Sequence, residues 1–224
     1  MTFDPDIVPH LWLLAFVPVY LLLLAMAVRS APWRRLRDPA DANVLYGATV
    51  AIWIFWQVRA SVDVWPGLEF HLLFMTSATL MFGWAFAFIV ASVAQLGLVL
   101  QGEGALMALP IAVTVNAGTA IGVSVLVHQI GRQRLPHHFF VYVFVSCVLG
   151  GALSMLGTRL LGMGLLLAAG SYSAEALGRG DFILLLPLMM FPEAFVNGAL
   201  MTILVAYRPQ WVASFRDQHY LHGK

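Results

Sequence analysis

Residues 70–101 read FHLLFMTSATLMFGWAFAFIVASVAQLGLVLQ, without one charged side chain. As a single helix the stretch would reach roughly 48 Å at 1.5 Å per residue. The hydrocarbon core of a bilayer is only about 30 Å thick. It is therefore either one steeply tilted helix or two shorter ones, Phe70–Phe82 and Trp84–Gln101, parted at Gly83. The choice sets the topology of the whole chain, and the basic residues around the stretch make it. Arg29, Arg34, Arg35 and Arg37 crowd one proline-punctuated segment, Arg132 and Arg134 a second, and Arg208, Arg216 and Lys224 follow the last apolar run. Cytoplasmic loops of membrane proteins carry the excess of Arg and Lys. With two helices in 70–101, all three basic segments share the cytoplasmic side and the acidic connections lie outside. With one helix, the two basic loops fall on opposite sides. Two helices are expected.

Composition places the chain in a membrane. Its 224 residues include 12 Lys+Arg and 11 Asp+Glu, with 61% hydrophobic residues and a mean hydropathy of +0.85. Soluble domains carry about 25% charge and 45–50% apolar residues. The apolar runs are continuous rather than alternating, which excludes a transmembrane β-barrel. One cysteine, Cys147, excludes a disulfide scaffold, and a net charge of +1 offers nucleic acid no electrostatic footprint.

The other apolar stretches are about Leu11–Val28, Asn43–Val58, Ala105–Ile130, a long one from His138, and Phe182–Tyr207. The first lacks a basic leading region and a small-residue cleavage site, so it reads as a retained span. The expected fold is an all-α polytopic membrane helix bundle of about seven transmembrane helices. Its N-terminus is outside and its C-terminus cytoplasmic. Residues 1–207 form a single transmembrane domain and 208–224 a short cytoplasmic tail. Residues 138–177, with Arg159 and several glycines, read either as one tilted helix or as a span followed by an interfacial helix.

Polar side chains inside hydrocarbon are functional candidates by default. His71 and Met75 share a helix face at i, i+4, with Glu69 just ahead of them. A neutral imidazole is the commonest transition-metal ligand, and a thioether suits softer ions. The other reading of His71 is an interfacial histidine bonded to Glu69 or a carbonyl. Glu193 and Asn197 share a face of the last span behind Pro192. A carboxylate there must be paired, protonated or turned to a cavity. It reads as a proton or cation site, or as a packing lock with Arg159, Asn116 or Thr114. Asn116, Thr114 and Thr119 give the fifth span a polar side beside Gly118 and Gly122, a packing interface or a cavity wall. His10 reaches His71 only if the chain end folds inward. His128, His137 and His138 flank a basic loop and are expected to be solvated, and Cys147 to be a buried, inert thiol. There is no His-Glu-x-x-His, no Gly-x-Ser-x-Gly and no phosphate-cradling glycine loop. The chain reads as a non-enzyme that binds no nucleotide.

Gly67-Leu-Glu-Phe-His71 through Phe82-Gly83 resembles a block of the permease component of cobalt/nickel-type energy-coupling-factor ABC transporters, the CbiM family. There a glycine and a short polar run precede a histidine, and a Phe-Gly pair closes the helix. Phe191-Pro192-Glu193 through Asn197-Gly198 and Val205 to Pro209 resemble that family's last span, in particular a divergent proteobacterial branch of uncharacterised membrane proteins. Arg134–Tyr142 and the tail from Trp211 are similar to the same branch. The resemblance implies a multi-pass protein of the bacterial inner membrane that captures a cobalt or nickel ion as substrate. It implies no intrinsic cofactor, and partner ATPase and transmembrane coupling subunits, with the small-residue faces of the fourth and fifth helices available for docking. In that family the N-terminal amine, a histidine at position two and the third-span histidine hold the metal. Here position two is Thr2, so only His71 carries over. Either the substrate differs, or transport has been lost and the fold serves as a membrane assembly scaffold.

Overall fold

The computed structural model describes residues 3–58, 71–173 and 182–215. The connection 59–70, which carries Glu69, lies outside the described residues, as do residues 174–181 and the tail from Arg216. Among the described residues every regular element is helical. The helices are α1 (His10–Ser30), α2 (Pro39–Gln57), α3 (Met75–Phe82), α4 (Trp84–Leu100), α5 (Leu106–Arg134), α6 (Phe139–Ala168) and α7 (Phe182–Tyr207). Four of them, α1, α5, α6 and α7, are long and apolar enough to cross a bilayer.

The charge-free stretch does divide at Gly83. Its φ of +85° and ψ of 163° fall in a region essentially reserved for glycine. The Gly83 N–H donates to the Thr79 carbonyl at 2.9 Å and closes α3. Its own carbonyl accepts from the Ala87 N–H at 3.1 Å and opens α4.

The first half differs from expectation. It begins at Met75, and Phe70 lies outside the described residues. Residues 71–74 are non-helical, and α3 has only 8 residues, about 12 Å of rise. The reason lies at Phe74, whose φ of +57° is left-handed and cannot continue a helix backwards. Every side chain of α3 is buried. The element is a half-helix enclosed by the other rods rather than a full span.

Contacts sort the chain into two ends. At one, Ser171 Oγ donates to the Ile7 carbonyl at 2.7 Å, and Trp56 Nε1 donates to the Leu73 carbonyl at 3.2 Å. At the other, Trp33 meets Phe86 edge-on, Tyr142 hydroxyl pairs with Ser214 at 2.7 Å, and the Ala213 and Ser214 N–H groups donate to Met81 and Leu80. The chain alternates between these ends from α1 to α7. The exposed arginines Arg29, Arg34, Arg37, Arg132, Arg134 and Arg208 all belong to the second end. Asp4, Asp6 and Glu103 belong to the first.

The outside of the bundle is apolar. Leu11, Leu14, Leu22, Leu184, Leu188, Phe191 and Phe195 are all more than half exposed. Patches this extensive are foreign to soluble monomers, and hydrocarbon is the solvent that accepts them. The protein is a multi-pass membrane protein.

Several local features answer open readings. Residues 139–168 form one helix of 30 residues, and 174–177, where a following interfacial helix is the other reading, lie outside the described residues. Val113–Gly118 in α5 and Tyr142–Leu149 in α6 are wound as π-helix. Asp38 caps α2 through the Ala40 N–H at 2.9 Å, with Pro39 in the first turn. His128 is not simply solvated, because its Nδ1 pairs with Ser146 Oγ at 3.0 Å. On the small-residue face of the fifth span, a Cβ at Gly118 would meet the Phe88 ring at 3.6 Å, whereas one at Gly122 would meet nothing within 4 Å. Gly151 brings α6 against the α7 backbone, where a Cβ would stand 3.1 Å from the Glu193 carbonyl.

Candidate functional site

His71 stands just before α3, half-buried, at the first end of the bundle. Its ring lies 5.6 Å from Trp56, centroid to centroid, and Trp56 also bonds the Leu73 carbonyl. The non-helical run 71–74 is thus pinned by α2 on one side. His71 borders two cavities. One, of about 260 Å³, is polar and is lined by Asp4, Trp56, Gln95, Glu103 and Asn116 among others. The second, of about 550 Å³, lies between α2, α6 and α7, with Leu72, Met155, Leu188 and Pro192 on its walls and Arg159 beside them.

The polar cavity gathers an imidazole, two carboxylates and two carboxamides. Asp4 and Glu103 are exposed at its mouth, Gln95 is half-buried, and Asn116 is buried on the floor. Such a set can hold a cation through nitrogen and oxygen donors. Among the described residues, no three His, Cys, Asp or Glu side chains converge as a preformed metal site.

The structure brings only part of the expected set together. His71 and Asn116 line the polar cavity. Met75 is fully buried in α3 and lines neither cavity. Glu69 lies outside the described residues. His10 opens α1 and is exposed, so the chain end that folds inward brings Asp4 rather than His10.

Glu193 and Asn197 bond one another and the backbone at the start of α3. Glu193 accepts the Leu73 N–H at 2.7 Å and the Phe74 N–H at 2.9 Å. Asn197 Oδ1 accepts both the Ser77 N–H at 2.9 Å and its hydroxyl at 2.7 Å. Asn197 Nδ2 donates back to Glu193 Oε1 at 2.9 Å. The first N–H groups of a helix have no partner within it, and here α7 supplies partners to a helix 120 residues earlier. All these groups are buried. Arg159 is the candidate partner that remains near: it is fully buried and within electrostatic reach of Glu193. Its Nε also meets Met155 Sδ at 3.3 Å. Asn116 lines the polar cavity instead.

The rest of α3 is tied in the same way. Thr76 hydroxyl pairs with Ser124 at 2.8 Å and Ser154 at 3.1 Å, joining α5 and α6. At the far end, Arg35 donates to the Met81 carbonyl at 3.1 Å while holding Asp41 at 2.8 Å. Arg35 also donates to Gln210 and Trp211 carbonyls. The half-helix therefore connects the cavity end to the arginine-rich end, with both of its termini completed from elsewhere.

Sequence reasoning missed Asp4, Gln95, Glu103 and Trp56. Asp4 and Glu103 read as ordinary acidic loop residues, and nothing in the local pattern ties either to His71.

A helical bundle with a lipid-compatible surface, and a polar cavity opening at one end beside a buried half-helix, defines a membrane transport component. The family model of the cobalt uptake substrate-specific transmembrane region, CbiM, matches residues 4–211, and the chain belongs to that family. It is a CbiM-family permease, in a family of transport components rather than enzymes. Comparison with curated proteins gave no match.

Proposed function

We propose that this protein is the substrate-capture subunit of an energy-coupling-factor transporter for a divalent transition-metal ion, cobalt or nickel. The ion enters the polar cavity from outside and binds His71. Separate ATPase and coupling subunits supply the work, since this chain carries no nucleotide motif. The chain makes seven crossings, α3 with the run 71–74 serving as the third. The first end of the bundle faces outward, because the exposed arginines among the described residues gather at the other. The protein resides in the bacterial inner membrane.

The observation that carries this reading is the position of His71, an imidazole on the wall of a polar cavity whose mouth presents two carboxylates. Clefts lined by one sign of charge concentrate the opposite ion. A non-transporting scaffold is not favoured, because the matched family is one of cobalt uptake.

Equilibrium binding to the purified protein tests the reading. Wild type should bind Co²⁺ or Ni²⁺ with 1:1 stoichiometry, and His71→Ala should abolish binding while melting as wild type does. A wild-type protein that binds neither ion would defeat it.

A further inference from the structure

We propose that Asp4, on the segment before α1, is the anionic ligand that acts with His71. The site then takes a six-coordinate divalent cation that keeps part of its water shell. This rests on the metal-binding reading above and adds to it a second residue and a coordination class.

The segment 3–8 is fastened in place. Phe3 is 1% exposed and Val8 2%, so both flanks are anchored in the core. The Ile7 and Val8 N–H groups each donate to the Asp4 carbonyl at 2.9 Å and close a turn. Ser171 hydroxyl donates to the Ile7 carbonyl at 2.7 Å, tying the segment to the end of α6. Within that turn the Asp6 N–H donates to Asp4 Oδ1 at 3.2 Å and orients the carboxylate. Oδ2 accepts no hydrogen bond among the described residues, and the side chain lines the same cavity as His71.

Glu103 reaches the mouth from the other side. It sits on the α4–α5 turn between Gly102 and Gly104, at φ +87° and +115°, a backbone suited to glycine. Its N–H donates to the Leu98 carbonyl at 2.9 Å. The two carboxylates balance a dication.

The donors present are oxygen-rich: two carboxylates, the amides of Gln95 and Asn116, and one imidazole. Sulfur ligands select Cu⁺, whereas carboxylate, carbonyl and water suit octahedral divalent ions. Met75, the thioether on the adjoining helix, is packed away from the cavity. At about 260 Å³ the cavity far exceeds a bare ion. Water occupies about 30 Å³ per molecule in the liquid, so there is room for several waters on the metal.

Titration of the purified full-length chain in detergent with Co²⁺ and with Mn²⁺ tests this, read by calorimetry and by the visible spectrum of bound cobalt. The expected Co²⁺ spectrum is the weak band of a six-coordinate ion. Asp4→Asn should raise the Kd for both ions at least about tenfold, the minimum for a change in or near a coordination shell. Asp6→Asn, two residues on and outside the cavity, should leave the Kd unchanged. Metal-free melting of Asp4→Asn should match wild type, since Asp4 is exposed. If wild type binds and His71→Ala does not, yet Asp4→Asn binds as wild type, the role of Asp4 is overturned while the metal reading stands. An intense four-coordinate cobalt spectrum overturns the coordination class. Absence of any binding by wild type overturns the metal reading itself.

Discussion

The Glu193 carboxylate accepts the Leu73 N–H at 2.7 Å, joining α7 to the run that carries His71. A second bond, from the Phe74 N–H at 2.9 Å, makes the grip two-pronged. The left-handed turn at Phe74 and the start of α3 depend on this carboxylate, which accepts from both of those donors. The buried pair thus has a structural task at the edge of the site, not a place on the cavity wall.

Glu193→Ala leaves two buried backbone donors without partners. Each costs about 1–3 kcal/mol, so the loss should total about 2–6 kcal/mol. Glu193→Gln keeps one acceptor oxygen and opposes an NH₂ to the other N–H, and should lose roughly half as much. Unfolding of both variants in detergent micelles, followed by tryptophan fluorescence, measures the difference. Equal stability of Glu193→Ala and wild type would show that the α3 start is held by something else.

Arg35 is the corresponding fastening at the far end. Arg35→Ala removes the ion pair to Asp41 and the donors to Met81, Gln210 and Trp211. A loss of about 2–3 kcal/mol is expected for these charge-assisted bonds. Arg35→Lys should not restore it, because an ammonium has no planar fork to reach four acceptor residues at once. Thermal melting of the two variants side by side checks this, and a lysine that rescues fully would contradict it.

Gly83 is held by backbone geometry alone. Nothing lies within 4 Å of the position its Cβ would take, but φ is +85°. Gly83→Ala should therefore cost about 1–3 kcal/mol of strain. Gly122 also has nothing within 4 Å, yet it lies inside α5 with an ordinary φ. Gly122→Ala should be neutral or stabilising by up to about 1 kcal/mol. The opposite signs, read from the midpoints of unfolding, separate backbone strain from helix propensity.

These contrasts also mark what the residues disclosed before the fold was known. The break at Gly83 was legible because a charge-free run too long for one crossing has a glycine near its middle. The ends of α7 were legible from composition, Phe182 and Tyr207 bounding an uncharged run save Glu193. The shortness of α3 was not. His71-Leu-Leu-Phe74 is as apolar as the helix it precedes, and what stops the helix is a carboxylate 120 residues away. Hydropathy also misjudged Met75: sharing a helix face with His71 presupposes that both are helical, and residue 71 is not. Asp4 was hidden for the same reason, since only tertiary folding brings an acidic leader beside a histidine 67 positions on.

The orientation has its own test. Native Cys147 is buried and should stay silent to labelling. In intact cells a membrane-impermeant maleimide should label Glu103→Cys, and label Arg132→Cys only after lysis. The reverse pattern would invert the bundle in the membrane.

The central claim is that the cavity beside His71 receives the ion. Anomalous X-ray diffraction at the cobalt absorption edge, from crystals of the protein grown with Co²⁺, tests it most directly. The account predicts one strong anomalous peak in the polar cavity, within bonding distance of a His71 ring nitrogen and facing Asp4. A sole peak elsewhere, or a bound ion that ignores His71, would contradict it.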